Sequence, residues 1–243
     1  KTISDYAFDG CEKLTSIVIP AAVKTLDGNT FLGCSGLQKI EVDQGNPHFS
    51  SADGVLFNKK HTTLVRYPAG RKGEYTIPAG VDYIDANAFA YCVGLTGVKF
   101  GDDVKTVGET AFRGSQNLVF AELSRSVRSF GTDAFQDCPD LAEIRVDEGN
   151  SHFASVGGVL FSKDKKVLLR CPGGKKGVYE VPAGVERIGD RAFWNCKKVT
   201  GIIFNLNSSQ LSEGEKVFEG CTALEEIRYN DKSIRFRSGA SAR

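Results

Sequence analysis

Residues 84–107, IDANAFAYCVGLTGVKFGDDVKTV, set the pattern for most of the chain. Their apolar positions are Ile84, Ala88, Phe89, Cys92, Leu95, Val98, Phe100 and Val104. The same series stands at Ile3, Ala7, Phe8, Cys11, Leu14, Ile17, Ile19 and Val23. The closing apolar residue of each unit falls at Ile19, Val42, Ile77, Phe100, Leu123, Val146, Val181, Phe204 and Tyr229. The intervals are 23, 35, 23, 23, 23, 35, 23 and 25 residues, so two units carry a twelve-residue extension. About nine coils result. Leu-x-x-Ile-x-Val alternates with the period of a short strand, Val-x-x-Ile predicts a second extended stretch, and Ala-Phe-x-x-Cys has room for one tight turn. A unit this short cannot bury eight apolar side chains alone, whereas a stack of units buries them against neighbours. The predicted fold is therefore a solenoid of short parallel strands and turns.

The extensions are near copies. Residues 43–81 match residues 147–185 without a gap, polar letters included. Gly54 to Phe57 and Leu64 to Tyr67, joined by Asn58 to Thr63, predict a hairpin, and Gly158 to Cys171 repeats it. Each hairpin is expected on the flank of the solenoid, either covering the core of an irregular coil or projecting as one of a pair of prongs. His48 and His152 hold equivalent places with no Cys, His or paired carboxylate nearby, which favours structural hydrogen bonding over metal or proton chemistry. The Gly-Lys runs 68–73 and 172–177 lack the spacing and the Ser or Thr of a phosphate loop and read as turns.

Ile-Gly-x-x-Ala-Phe-x-x-Cys-x-x-Leu-x-x-Ile-x-Ile-Pro-x-x-Val resembles the BspA-type leucine-rich repeat over residues 3–229, with Phe8, Phe31, Phe89, Phe112, Phe135, Phe193 and Phe218 at its centre. The resemblance implies a surface-exposed or secreted adhesin-type protein of a host-associated microbe, binding host matrix, plasma or neighbouring-cell proteins. It carries no shared catalytic residues, so any site must come from this sequence.

Strand alternation sends Leu, Ile and Val inward and the intervening letters outward. The outward positions include Lys39, Glu41, Lys99, Phe120, Glu122, Glu143, Arg145, Glu180, Ile203 and Arg228, our candidate partner-binding residues on a concave strand face. Lys99, Glu122, Arg145 and Glu180 are expected to stack as an alternating charge ladder, with Val18, Phe120, Val178 and Ile203 as apolar points for a protein partner.

Cysteine usage and charge narrow the classes. Six of the seven cysteines occupy one slot of the repeat, Ser115 fills that slot once, and Cys171 stands apart. One slot in every coil is a packing position, which predicts reduced, buried thiols rather than disulfides or metal ligands. A net charge of +1 gives no basis for nucleic-acid binding, and no apolar run reaches the ~18 residues of a spanning helix. Beginning at Lys1 inside a repeat and lacking Met, the chain reads as an excised or processed piece.

The sequence thus predicts a repeat domain over 1–229 and a frayed basic tail over 230–243. It predicts no enzyme and no cofactor, and a binding module outside the cell for a protein partner, with self-association a further expectation. A carbohydrate-binding or cell-envelope module is the alternative; it calls for exposed aromatics, and Trp194 is the only Trp.

Overall fold

A computed structural model describes residues 1–131 and 133–236. They form two compact units, one of Lys1–Leu118 with Ser126–Gln136, the other of Val119–Arg125 with the residues from Asp137 onward. Each is a β-solenoid of 23-residue coils with almost no helix; one 3-10 turn, Ser208–Gln210, is present among the described residues.

A regular coil has three sides. Leu95–Lys99 is the face strand of the coil at 84–107, and it pairs in parallel with Gly73–Thr76. After a turn the chain reaches Thr106–Val107, which lies in parallel between Tyr83–Ile84 and Ser129–Phe130 on the flank. The third side is a run of tight turns. In it Phe89 and Tyr91 send their N–H groups to the carbonyls of Ala111 and Arg113, one coil further on, at 2.7 Å each. Asn87 and Tyr91 take positive φ, which aims alternate N–H groups at the next coil without building a helix.

The core follows the apolar slots. Ile84, Phe89, Cys92, Leu95 and Val98 are all fully buried. Phenylalanine rings of successive coils stack: Phe89 on Phe112 at 4.7 Å and Phe112 on Phe135 at 5.1 Å between centroids. Cys34, Cys92, Cys138, Cys171, Cys196 and Cys221 are buried and reduced, as the slot predicts; Cys11, in the first coil, is exposed. The slot also has a polar task. Cys34 Sγ donates to the carbonyl of Phe8 at 3.0 Å and Cys221 Sγ to that of Phe193 at 2.9 Å, so each thiol ties its coil to the one before.

The extensions correct the prong picture. Val55–Asn58 and Thr63–Arg66 do form the predicted hairpin, but Phe49–Ala52 adds a third antiparallel strand, and Thr63–Arg66 joins the flank sheet beside Tyr83–Ile84. Val55, Leu56 and Phe57 are completely buried, so these strands close the core of the irregular coil. Phe153–Val156, Val159–Ser162 and Val167–Arg170 repeat the arrangement beside Arg187–Ile188. The polar turn is tied down by Asn58 Oδ1, which accepts from the N–H groups of Thr62 and Thr63.

Two side chains that sequence reading passed over hold the extensions in place. Buried Asn46 donates to the carbonyls of Pro20 and Val23 at 2.9 and 3.0 Å and accepts from the N–H groups of His48 and Phe49. Asn150 does the same work for His152 and Phe153, which leaves both histidine rings exposed. Arg66 is buried in the stack, with Nη2 donating to the carbonyls of Phe31 at 3.1 Å and Ala90 at 3.0 Å and Nη1 to that of Asn87 at 2.5 Å. Arg170 repeats this with the carbonyls of Arg191 and Trp194. The elaborated coil lacks the Ala-Phe-x-x-Cys turn, and the guanidinium takes up carbonyls that this turn would otherwise meet.

Of the stretch 230–243, residues 230–236 are described, and Ser233–Arg235 pairs antiparallel with Glu226–Arg228. Phe236 packs against the core beside it. Arg237 and Arg243 lie outside the described residues.

Candidate functional site

The face strands present the outward positions that sequence alternation assigned to them. Glu122, Arg145, Glu180 and Arg228 are exposed, while Ala121, Ile144, Tyr179 and Ile227, one residue earlier on each strand, are buried. Physical chemistry arranges the candidates differently from a ladder. Lys39 pairs with Glu41 on its own strand at 2.5 Å, Arg145 with Glu143 at 2.7 Å, and Arg228 with Glu226 at 2.8 Å. Residues two apart on a strand share a face, so a long cation reaches back along its own strand. Lys99 takes Glu74 of the preceding coil at 3.0 Å.

The predicted ladder is also broken between Arg145 and Glu180. Glu122 and Arg145 stand in register, as expected. Glu143–Val146 does not pair with Gly177–Val181, however, because the turn of the extension intervenes: Ile144 donates its N–H to the carbonyl of Gly158 at 2.8 Å. The same interruption separates Lys39–Val42 from Gly73–Thr76, with Gly54 as acceptor for Ile40 at 2.8 Å. Glu180 instead accepts from Asn205 Nδ2 at 2.7 Å and lies in register with Ile203.

The apolar points are unequal. Phe120 is half-buried under the Arg145 guanidinium, 4.9 Å from its ring centre, so its outer face is covered. Val18 and Val178 are 57% and 62% exposed. Val178, Gly201 and Ile203 line a shallow cleft of about 230 Å³ with Glu226 and Arg228 at its side. In the first unit a polar recess of about 510 Å³ lies between Lys39, Glu41, Ser51, Asp53 and Arg71. These are surface hollows that suit side chains of a macromolecule better than an enclosed small molecule.

The remaining chemical candidates are structural. The Gly-Lys runs are turns tied to neighbouring coils through their glycine N–H groups: Gly70 donates to Leu37 and Gly174 to Leu141, each at 2.8 Å. A Cβ on Gly174 would come within 2.7 Å of the Leu141 carbonyl, so close coil packing explains this glycine. Trp194 is half-buried with Arg191 at 5.2 Å and Lys216 at 5.8 Å from its ring, leaving little free face for a sugar. Burial pushes the Cys92 thiol up to about 12, opposed by the nearby Arg66 charge, so it is no nucleophile at neutral pH. Among the described residues there is no cluster of three or more His, Cys, Asp or Glu able to hold a metal ion, and no helix long and apolar enough to cross a membrane.

Known proteins agree with this architecture. The family described as BspA type leucine rich repeat region matches in six copies over residues 1–68, 72–167 and 178–240. Among solved structures, a leucine-rich repeat protein of Eubacterium ventriosum is 25% identical with a TM-score of 0.61, over 88% of this chain and 57% of that one. The pneumococcal vaccine antigen PcpA is 25% identical with a TM-score of 0.64, over 95% of this chain and 56% of its own. A leucine-rich cell surface protein of Faecalibacterium prausnitzii shares the fold at 24% identity and a TM-score of 0.64, over 94% of this chain and 64% of that one. The chain thus spans little more than half the length of the first two. No curated protein sequence matches it. With the family match covering nearly the whole chain, broken only within the two elaborated coils, the chain belongs to the BspA-type leucine-rich repeat family.

Proposed function

We propose that the chain is a non-enzymatic binding module of a surface-exposed or secreted protein and that its strand face recognises a host or neighbouring-cell protein. The observation that carries this reading is the patch of Val178, Gly201 and Ile203, where exposed apolar surface lies on a sheet face otherwise lined with ion pairs. Apolar anchors ringed by charge are what a protein interface needs. The family and two of its relatives, a vaccine antigen and a cell surface protein, support the location.

The candidate contacts are Lys39, Glu41 and Lys99 on the strand face of the first unit, and Phe120, Glu122, Glu143, Arg145, Glu180, Ile203 and Arg228 on that of the second. Ile203 leads, because Phe120 is screened by Arg145 and the charged residues are in part neutralised by their own strand. The test is capture of immobilised matrix and plasma proteins and of glycans by the chain, repeated with Ile203→Glu and with Arg145→Glu. Protein binding weakened tenfold or more by Ile203→Glu supports the reading; capture of glycans alone, or equal binding by both variants, overturns it.

A further inference from the structure

Each extension leaves an open strand edge inside its unit. Gly73–Thr76 and Gly177–Val181 end their sheets: the first pairs with Leu95–Lys99, the second with Val199–Phe204, and neither pairs with a strand on its other side. Alternate residues of a strand point their N–H and C=O to opposite edges. Ile77 donates to the Lys99 carbonyl at 2.9 Å, so Glu74 and Thr76 face the open side. Val178 and Glu180 occupy the same register in the second unit. One coil later, Gly201 and Ile203 have Val178 and Glu180 beside them in the ladder. Among the described residues, no hydrogen bond to the main-chain N–H or C=O of Val178 or Glu180 is present on the open side.

Unpaired edges invite pairing with other chains, and proteins guard them with charge. The first edge is guarded: Glu74 stands on it, paired with Lys99, and Arg71 beside it is paired with Asp53. The second is not. Val178 replaces Glu74 and is 62% exposed. Gly157 replaces Asp53, so Lys175, the counterpart of Arg71, meets the Gly157 carbonyl at 2.7 Å and the Tyr179 ring at 5.5 Å in place of a carboxylate. Lys176 next to it is exposed.

We propose that the open edge of Gly177–Val181 is a docking site for an extended segment of a partner protein, which adds as a β-strand with an acidic side chain beside Lys175 and Lys176 and an apolar one beside Val178. Main-chain hydrogen bonds supply affinity in such strand addition, and the alternate side chains supply choice. The inference rests on the reading of the chain as a protein-binding module, but it places the contact on a backbone edge rather than on the strand face.

The probe is a fluorescein-labelled peptide, Thr-Glu-Thr-Val-Thr-Val-Thr, titrated with the whole chain and followed by anisotropy. Glu180→Pro removes an N–H that no fold contact uses, Val178→Lys reverses the chemistry of the edge, and a peptide N-methylated at alternate residues loses its own ladder. Saturable binding that weakens tenfold or more in all three cases, with far-ultraviolet dichroism unchanged, is expected. No saturable binding, or equal binding by Val178→Lys and by the N-methylated peptide, overturns the edge. A matrix protein captured equally by Glu180→Pro but lost with Ile203→Glu overturns the edge and leaves the binding module standing. Dimerisation of the chain that Glu180→Pro abolishes makes the occupant a second copy and overturns the foreign partner.

Discussion

Ser115 Oγ donates a buried hydrogen bond to the main-chain carbonyl of Phe89 at 2.7 Å, in the slot that other coils fill with cysteine. Cys34 and Cys221 make the equivalent bonds to Phe8 and Phe193. The slot therefore selects a small side chain that can donate toward the preceding coil, and either a thiol or a hydroxyl satisfies it. Ser115→Cys is expected to change stability by less than ~1 kcal/mol. Ser115→Ala removes the donor and should cost about 1–2 kcal/mol. Urea denaturation midpoints at constant slope measure both; an Ala variant as stable as the parent leaves the slot a matter of size alone.

Arg66 is a second test of buried donors. Its guanidinium meets the carbonyls of Phe31, Asn87 and Ala90 with no carboxylate among these partners. Burial lowers its basicity, opposed by the neighbouring Cys92 and Cys34. Arg66→Met strips donors from buried carbonyls and should destabilise by roughly 3–5 kcal/mol. Arg66→Lys should recover little of this, because one ammonium cannot reproduce the planar fork. Arg170→Met, at a half-buried site, should cost less. Thermal or urea unfolding of the three variants decides the order.

The contrast between Ser115 and Arg66 shows where the sequence was readable. A 23-residue spacing and an in-out alternation declare the coil, because stacking makes the same demand on every copy. The face residues were therefore placed on the correct side. The pairing between face strands was not readable at the extensions, since strand neighbours there depend on where Gly54 and Gly158 come to rest, and a glycine in a turn does not announce its acceptor. Asn46 and Arg66 left a faint signal, a polar letter at the same place in both copies of the extension. Their role needs carbonyls from other coils, which no local pattern reveals.

Thiol chemistry tests the orientation of the slot directly. Cys11 is exposed, while Cys92 and Cys196 are completely buried. With a small thiol reagent at neutral pH, one cysteine should react in the native state and the others only on unfolding; mass spectrometry after brief labelling should find the adduct on Cys11. Fast modification of Cys92 would mean that the apolar slots face solvent.

Truncation of the stacked rings separates interior from end. Phe89 is fully buried between Tyr67 at 5.0 Å and Phe112 at 4.7 Å, whereas Phe8 stacks on Phe31 at 5.5 Å and is only half-buried. Phe89→Ala should cost about 3–5 kcal/mol, from lost transfer energy and the cavity left behind. Phe8→Ala should cost clearly less, since the site can collapse or admit water. Equal costs by urea denaturation would show that the first coil is packed as tightly as the interior.

Alkali should unfold the chain, and the sign follows from its buried acids. Burial raises Cys92 from its ordinary 9.0 to about 12, and Cys221 likewise to about 12. Burial also lifts Tyr67 from 10.0 to about 12 and raises Tyr75 and Tyr179. In each case the folded state keeps a proton that the unfolded chain gives up at lower pH. Between the two values the unfolded state binds fewer protons, so stability falls as pH rises. These groups contribute fully below pH 9, and their contribution is lost as pH climbs toward 12. The urea midpoint should therefore hold steady from neutrality to about pH 8.5 and fall beyond it. Cys92→Ser, which retains a donor but does not titrate in this range, should make the decline shallower while lowering the neutral midpoint only modestly. An identical alkaline slope in that variant would assign the decline to Cys221 and the tyrosines instead.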